Sequence, residues 1–314
     1  MTLNTDENFA PVGPRGPSAT SSRATGSLIG EVFGSPEVLR RYVSDGGRPG
    51  LHLVFLFEFL AASYGADRYR AIIEQFERDF PAPMVPTYVL ENHDRTRSLS
   101  RLGGDLRKAR VMATLLCTLR GVPVLYQGQE IGMENRYIPL REANDPVPGV
   151  VARWIPEAVN RKLPERFNRD EVRTPMQWQT GPGAGFCPPE ATAWLPIHAN
   201  AGERNVAVEA ADEASLLHWY RELLALRRSS EALQHGELVM APASGDDVLR
   251  YERVLGDERV TVIANMSDAP RTAWVGASTE LLASSDPGIV VTDHADRGRT
   301  EVLLAPHAAV VLAG

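Results

Sequence analysis

Apolar and polar positions fall into two textures along this chain. Up to about residue 231 short apolar runs alternate with stretches of helical period; beyond it the runs alternate residue by residue between turn signals. In the first texture, "SLIGEVF" (27–33) predicts a buried strand, and "SPEVLRRYV" a short helix with Pro36 in its first turn. "LHLVFLFEF" (51–59) predicts a second strand. Its helix carries Tyr69, Ile72, Ile73 and Phe76 on one face, with Asp67 as the N-cap. "PTYVLEN" (86–92) predicts a third strand. The next helix starts near Asp105, shows Ala109, Met112, Ala113 and Leu116 on one face, and is stopped by Gly121 and Pro123. "VPVLYQG" predicts the fourth strand. A polar connection far longer than an ordinary loop, from about 127 to 211, leads to the helix "ASLLHWYRELLALRRSS".

Four strand–helix units imply a parallel sheet with right-handed crossovers. Two architectures fit: an open doubly wound sheet, or half of an eight-stranded barrel. No Gly-x-Gly-x-x-Gly or phosphate-binding Gly-Lys-Ser/Thr loop follows any strand, and "RLGGDLRKAR" reads as a plain turn before a helix. The second texture ("GELVMA", "VLRYERV", "RVTVIANMS", "TEVLLAP", "AAVVLAG") predicts a small antiparallel β domain over 232–314. Residues 1–26, rich in Pro, Gly, Ser and Thr, read as a disordered leader.

The composition narrows the function. With 43% hydrophobic and 23% charged residues in 314, this is the make-up of a water-soluble globular protein. The net charge of −7 comes without a basic run, which argues against a nucleic-acid binder. Cys117 and Cys187 match neither a disulfide framework nor a metal spacing, so neither a metal nor any other cofactor is expected. The first residues lack the basic start and apolar stretch of a signal peptide, and the longest apolar run contains Glu58 and is about half a membrane span. A cytoplasmic location is expected.

The stretch "TYVLENHDRTR" (87–97) turns abruptly from apolar to titratable. In a β/α barrel the reacting groups sit at the carboxyl ends of strands. Glu31, Asp94 and Glu130 each fall there, after the first, third and fourth strands. A single acid in such a place is ordinarily a helix cap or a solvated loop residue; three at one face point to paired-carboxylate chemistry. In glycoside cleavage one carboxyl protonates the departing oxygen while another attacks, or supports positive charge on the sugar ring. His93 can donate to a sugar hydroxyl or simply to loop backbone. Trp154, Trp178 and Trp194 lie in the long connection, where packing is the favoured role over stacking on sugars.

Together "LIGEVF", "YVLENHDRTR", "GVPVLYQGQEIGM" and "NRDEVRTPMQW" resemble, in order and rough spacing, the signatures of glycoside hydrolase family 13, the α-amylase family, in its α-glucosidase and oligo-1,6-glucosidase branch. The resemblance implies that residues 27–231 are the second half of a (β/α)8 barrel, strands five to eight, with the long insertion after the last strand, followed by an antiparallel β-sandwich. It implies that Glu31 is the general acid/base, that Asp94 binds sugar hydroxyls and stabilises the transition state, and that His93 and Arg169 grip the same sugar. Arg173 is a weaker candidate, equally readable as a structural ion-pair partner.

One departure stands out. The family's nucleophile is an aspartate on strand four, two residues after an arginine, and this sequence contains no Arg-x-Asp. The 26 residues before the first strand cannot supply four more units of about 30 residues each. The expectation is a retaining α-glucosidase by descent, acting on short α-linked glucosides, truncated to its C-terminal half and inactive alone. A non-catalytic carbohydrate-binding or assembly protein is the alternative reading. So is one subunit of a split glucosidase, whose partner chain supplies the missing half barrel.

Overall fold

The computed structural model describes residues 27–44, 50–146, 154–160, 168–277 and 280–314; the leader expected over 1–26 lies outside them. The first part contains β1 (Ile29–Gly30), α1 (Pro36–Arg40), β2 (Leu53–Val54), α2 (Glu58–Ala61), α3 (Ala66–Asp79), β3 (Thr87–Val89), α4 (Ser98–Arg101), α5 (Leu106–Thr118) and β4 (Val122–Val124). β1 pairs with β2 and β3 with β4, both in parallel. An isolated parallel bridge, Leu56 to Tyr88, joins the two pairs. The four short strands thus follow one another in chain order as a parallel arc, which does not close on itself among the described residues.

The helices cover the arc through the apolar stripes the sequence shows. Tyr69, Ile72, Ile73 and Phe76 of α3 are buried. Phe59 of α2 meets Tyr69 and Tyr88 edge-on at 4.7 and 5.0 Å, a favoured aromatic geometry. On α5 the expected face is buried, and Asp105 caps the helix by accepting from the Arg107 amide at 2.9 Å. Gly121 is required where α5 turns into β4: its φ is +146°, and a Cβ there would lie 2.5 Å from the Pro86 carbonyl.

Three expectations need correction. The run at 27–33 forms only the two-residue β1, and it is not buried: Leu28, Ile29 and Phe33 are exposed, Phe33 to 66%. No described element covers that side of the strand, and Phe33 instead stacks on Phe57 at 5.2 Å. The run at 51–59 is strand only at Leu53–Val54, and Glu58 and Phe59 belong to α2. A short apolar run carries no period that separates strand from buried helix. Asp67 is not the N-cap of α3; Gly65 holds that position and Asp67 sits in the first turn, where its charge suits the helix dipole.

The long connection contains α6 (Glu157–Asn160), α7 (Val206–Ala211) and single 3-10 turns such as Arg169–Val172. It ends in α8 (Leu216–Ser229), capped by Ser215 Oγ accepting from the His218 amide, and α9 (Glu231–His235). The α9 helix straddles the expected boundary near 232. Then come β5 (Glu237–Met240), β6 (Val248–Leu255), β7 (Glu258–Asn265), β8 (Arg271–Gly276), β9 (Glu280–Ser284), β10 (Val290–His294), β11 (Arg299–Leu304) and β12 (Ala308–Ala313). They form a five-stranded sheet in the order β5-β6-β7-β12-β9 and a three-stranded one, β10-β11-β8. The sequence pattern missed β8, β9 and β10, whose burial alternates weakly at exposed positions.

Strand periodicity decides what each face of the larger sheet meets. Val260, Val262 and Ala264 of β7, with Ala309 and Val311 of β12, share one core with α3, α5 and α8. Their neighbours Ile263, Val310 and Leu312 pack on Ala273, Val302 and Leu304 of the smaller sheet. One apolar core therefore runs from the parallel arc into the antiparallel part. Arginines from α8, β6 and the turn between α5 and β4 meet at its seam. Arg227 donates to the Cys117, Leu119 and Gly121 carbonyls. Arg120 pairs with Glu77 at 2.6 Å. Arg253, fully buried on β6, donates to the carbonyls of Thr118, Leu233 and Gly236 at 2.8–2.9 Å. The bonds to Cys117 and Thr118 satisfy the last two carbonyls of α5, which have no partner inside the helix. Burial pulls the Arg253 guanidinium down to about 10.

Arg253→Ala leaves the Thr118, Leu233 and Gly236 carbonyls without this donor, and the expected loss of stability is on the order of 3 kcal/mol. Urea unfolding followed by circular dichroism checks it; a loss under about 1 kcal/mol would show that water replaces the side chain freely. The exposed Leu28, Ile29 and Phe33 should make the protein bind a hydrophobic dye and self-associate. Paired substitutions Ile29→Thr and Phe33→Ser should reduce both, as read by dye fluorescence and sedimentation.

Candidate active site

The polar turn after β3 starts from a buried ion pair. Glu91 is 1% exposed and Arg97 fully buried, with Nη1 to Oε1 at 3.4 Å. The Ser98 amide donates to the other Glu91 oxygen. Burial pushes the Glu91 carboxyl up, outweighing the Arg97 charge and the Ser98 amide that pull it down. Arg97 also donates to the Gln127 carbonyl at 2.8 Å, tying the turn to the end of β4, and lies 4.9 Å over the Tyr126 ring. Held at both ends, the residues between must loop outward. The Asp94 amide donates to Asn92 Oδ1 at 3.0 Å, so the loop folds on its own side chain.

That fold aims Asp94 at a cluster of cations. Its Oδ1 receives Arg169 Nη1 at 3.0 Å and Arg173 Nη2 at 2.6 Å, with His93 Nε2 at 3.5 Å. Partial burial pushes this carboxyl up, but the Arg173 hydrogen bond and the charges of His93, Arg169 and Arg173 outweigh it, and the net shift is downward. Asp94 is an anion at neutral pH. Arg173 also donates from Nε to the His93 carbonyl at 2.8 Å, which fixes the loop's backbone. Arg169 is held in turn by Asp145, which accepts its Nε and Nη2 at 2.8 Å each. Asp170 accepts the amides of Asn144 and Asp145 at 2.6 and 3.0 Å.

Glu31 follows β1 directly, is exposed, and lines a cleft of about 170 Å3 together with Phe55, Phe57, Glu91, Asn92, His93 and Tyr126. Of the residues singled out in the sequence, Asp94, His93 and Arg169 are thus in mutual contact through Asp94, and Glu31 shares a cleft with His93. Glu130 stands apart: it lies in the turn Gln129–Ile131, where burial pushes its carboxyl up against the pull of the Glu130 and Gly128 amides. Trp154, Trp178 and Trp194 are exposed, Trp154 to 84%, so the expectation that they pack inside is overturned. Tryptophan count in a polar connection carries no information on which way a ring turns.

Sequence reasoning missed Asp145, Glu91 and Arg97; Arg173, read there as a possible ion-pair partner, pairs with Asp94. The alternation of sign in "LENHDRTR" holds a signal for the Glu91–Arg97 pair; nothing local marks Asp145. Among the described residues no group of His, Cys, Asp and Glu is placed to hold a metal ion, and no helix is long and apolar enough to cross a membrane.

A family model described as the α-amylase catalytic domain matches residues 18–236. The chain belongs to the α-amylase family. It is 33% identical over 254 residues to a probable α-glucosidase of Rhizobium meliloti (strain 1021), covering 78% of this chain and 43% of that protein. It is 30% identical over 264 residues to an oligo-1,6-glucosidase of Parageobacillus thermoglucosidasius, covering 76% and 46%. Among solved structures it resembles an isomaltulose synthase from Klebsiella sp. LX3 with a TM-score of 0.77 at 27% identity, covering 91% of this chain and 55% of that one. This α-amylase-family chain therefore spans about half the length of the relatives it matches.

The Asp94 cluster makes a pH prediction. A carboxyl with a lowered folded value adds stability that is fully present above its unfolded value, about pH 4, and is lost as pH falls through the folded value. Asp94→Asn should therefore lose less stability on acidification below about pH 4 than the parent does. Parallel urea titrations at stepped pH check this; equal acid sensitivity would show that the arginines do not favour the charged form.

Proposed function

We propose that this chain carries the acid/base and sugar-gripping part of a retaining α-glucosidase-type glycoside hydrolase, acting on short α-linked glucosides. The observation that carries the reading is Asp94: an ionised carboxylate just past a parallel strand, its Oδ1 gripped by two arginines while Oδ2 has no partner among the described residues. On this reading the parallel arc corresponds to strands five to eight of a (β/α)8 barrel, and the two antiparallel sheets to the family's C-terminal sandwich. Glu31 protonates the departing glycosidic oxygen and later takes a proton from the attacking water. Asp94 accepts sugar hydroxyls and supports the positive charge that grows on the ring. His93 and Arg169 donate to the same sugar.

A retaining reaction also needs a carboxylate that bonds to the sugar carbon as the glycosidic bond breaks. The sequence offers no Arg-x-Asp for that role. Glu130 is half-buried in its own turn with no contact to the Asp94 cluster among the described residues, and Asp170 is 2% exposed with one oxygen occupied by two amides. We therefore assign the nucleophile to residues outside the described structure, on a stretch or a partner chain that completes the barrel. The absent Arg-x-Asp equally favours a second reading, a non-catalytic carbohydrate-binding or assembly protein that keeps the sugar grip and does no chemistry.

The chain alone should not hydrolyse an aryl α-glucoside above background. Mixed with a fragment carrying strands one to four of a related enzyme, it should regain turnover. In that mixture Glu31→Gln should abolish turnover of poorly activated substrates, which need leaving-group protonation. Asp94→Asn should depress turnover on every substrate by about a hundredfold or more. Turnover by the pure chain that Glu31→Gln removes would sink the assignment of the nucleophile elsewhere. No turnover in any mixture, with glucoside binding retained, would favour the non-catalytic reading.

A further inference from the structure

A guanidinium normally meets a carboxylate two-pronged, with two parallel N–H bonds. Arg169 does this, but not with Asp94. Its Nε and Nη2 both go to Asp145, and its own backbone amide adds a third bond to Asp145 Oδ2 at 2.9 Å. Only Nη1 is left to reach Asp94, at 3.0 Å. The Asp145 side chain is fully buried, and Asp170 fixes its backbone by accepting the Asn144 and Asp145 amides on one oxygen. Arg173, on the other side, contributes one Nη2 bond to the same Asp94 oxygen and spends its Nε on the His93 carbonyl. Among the described residues, the cationic contacts of Asp94 thus all converge on Oδ1.

We propose that Asp145 is a positioning residue of the candidate sugar site: by occupying the two-pronged edge of Arg169 it restricts that arginine to one N–H on Asp94 and keeps Asp94 Oδ2 open to a sugar hydroxyl. This rests on the sugar-binding reading of Asp94. Without Asp145, Arg169 gains the freedom to turn both Nη groups onto both Asp94 oxygens. Such a closed fork holds Asp94 ionised yet takes away the acceptor the sugar needs. Asp145 thereby separates two properties that arginine would otherwise trade against each other, the charge of Asp94 and its accessibility.

The test uses the full chain and Asp145→Asn, with methyl α-D-glucopyranoside as the probe. Three readings are taken by nuclear magnetic resonance: proton exchange at Arg169 Nε–H, the titration of the Asp94 carboxyl carbon, and glucoside affinity at pH 7. The groups facing Asp94 are His93, Arg169 and Arg173, so the titration reports on their placement. Asp145→Asn should speed exchange at Arg169 Nε–H, lower the Asp94 titration midpoint by about half a pH unit, and weaken the glucoside about fivefold. Loss of the Asp145 charge through space would also lower the midpoint. It would not weaken the glucoside at pH 7, where Asp94 is ionised in both proteins, so the affinity decides between charge and position. If Asp145→Asn does not fold, Asp170→Asn loosens the same backbone and should move all three readings in the same direction by less. Unchanged exchange and unchanged affinity in a folded variant overturn the proposal. A parent chain that binds no glucoside, with exchange and titration still moved by Asp145→Asn, overturns the sugar reading while the Asp145–Arg169–Asp94 relation stands.

Discussion

The Glu91–Arg97 pair is the constraint on which the rest of the candidate site depends. A strand as apolar as β3 ends beneath a loop that must carry several charges, and the first of these, Glu91, is enclosed by the fold. A buried carboxylate is tolerable only with a counter-charge and donors of good geometry, and Arg97 and the Ser98 amide provide them. The two anchor points are six residues apart, and the chain between them has no choice but to bulge toward the carboxyl ends of the strands. Asn92, His93 and Asp94 are among the five residues displaced, and the same Arg97 bonds to the Gln127 carbonyl, so the ends of β3 and β4 are set together.

From there a relay of hydrogen bonds and ion pairs runs outward. Asp170 orders the backbone at Asp145, Asp145 holds Arg169, and Arg169 with Arg173 holds Asp94. Each charged group satisfies the next, which is what lets a cluster of acids and bases sit half-buried without collapsing into neutral pairs. The outermost member is the carboxylate left partly open, next to His93, which lines the cleft with Glu31. The arrangement suits a group that must stay ionised while remaining available as an acceptor.

A second relation holds this part of the fold to the antiparallel sheets. The last carbonyls of α5 are taken by Arg227 and Arg253, so the helix behind β3 and β4 is fastened to β6 and to α8. Together with the apolar core shared by α3, α5, β7 and β12, this makes the antiparallel part a support for the parallel arc. On the other side, around β1, nothing described gives the same support, and Phe33 and Ile29 face outward.

The sequence by itself determined most of the periodic elements and singled out the loop of the candidate site. The stripes on α3 and α5, the start of α5 near Asp105, and the strand runs of β6, β7, β11 and β12 follow from local patterns, because burial imposes pattern on the residues that make it. The motifs "YVLENHDRTR" and "NRDEVRTPMQW" carried the family resemblance and named Asp94, His93 and Arg169. The length of the first two strands, the outward turn of Trp154, Trp178 and Trp194, and the exposure of Phe33 were decided only by tertiary structure, since each depends on which element covers which face. The same holds for the partnership of Asp145 with Arg169 and of Arg173 with Asp94. These pairs are separated by 24 and 79 positions, and no local pattern encodes a hydrogen bond across such a distance: the fold has to bring the two ends together before their charges can choose each other.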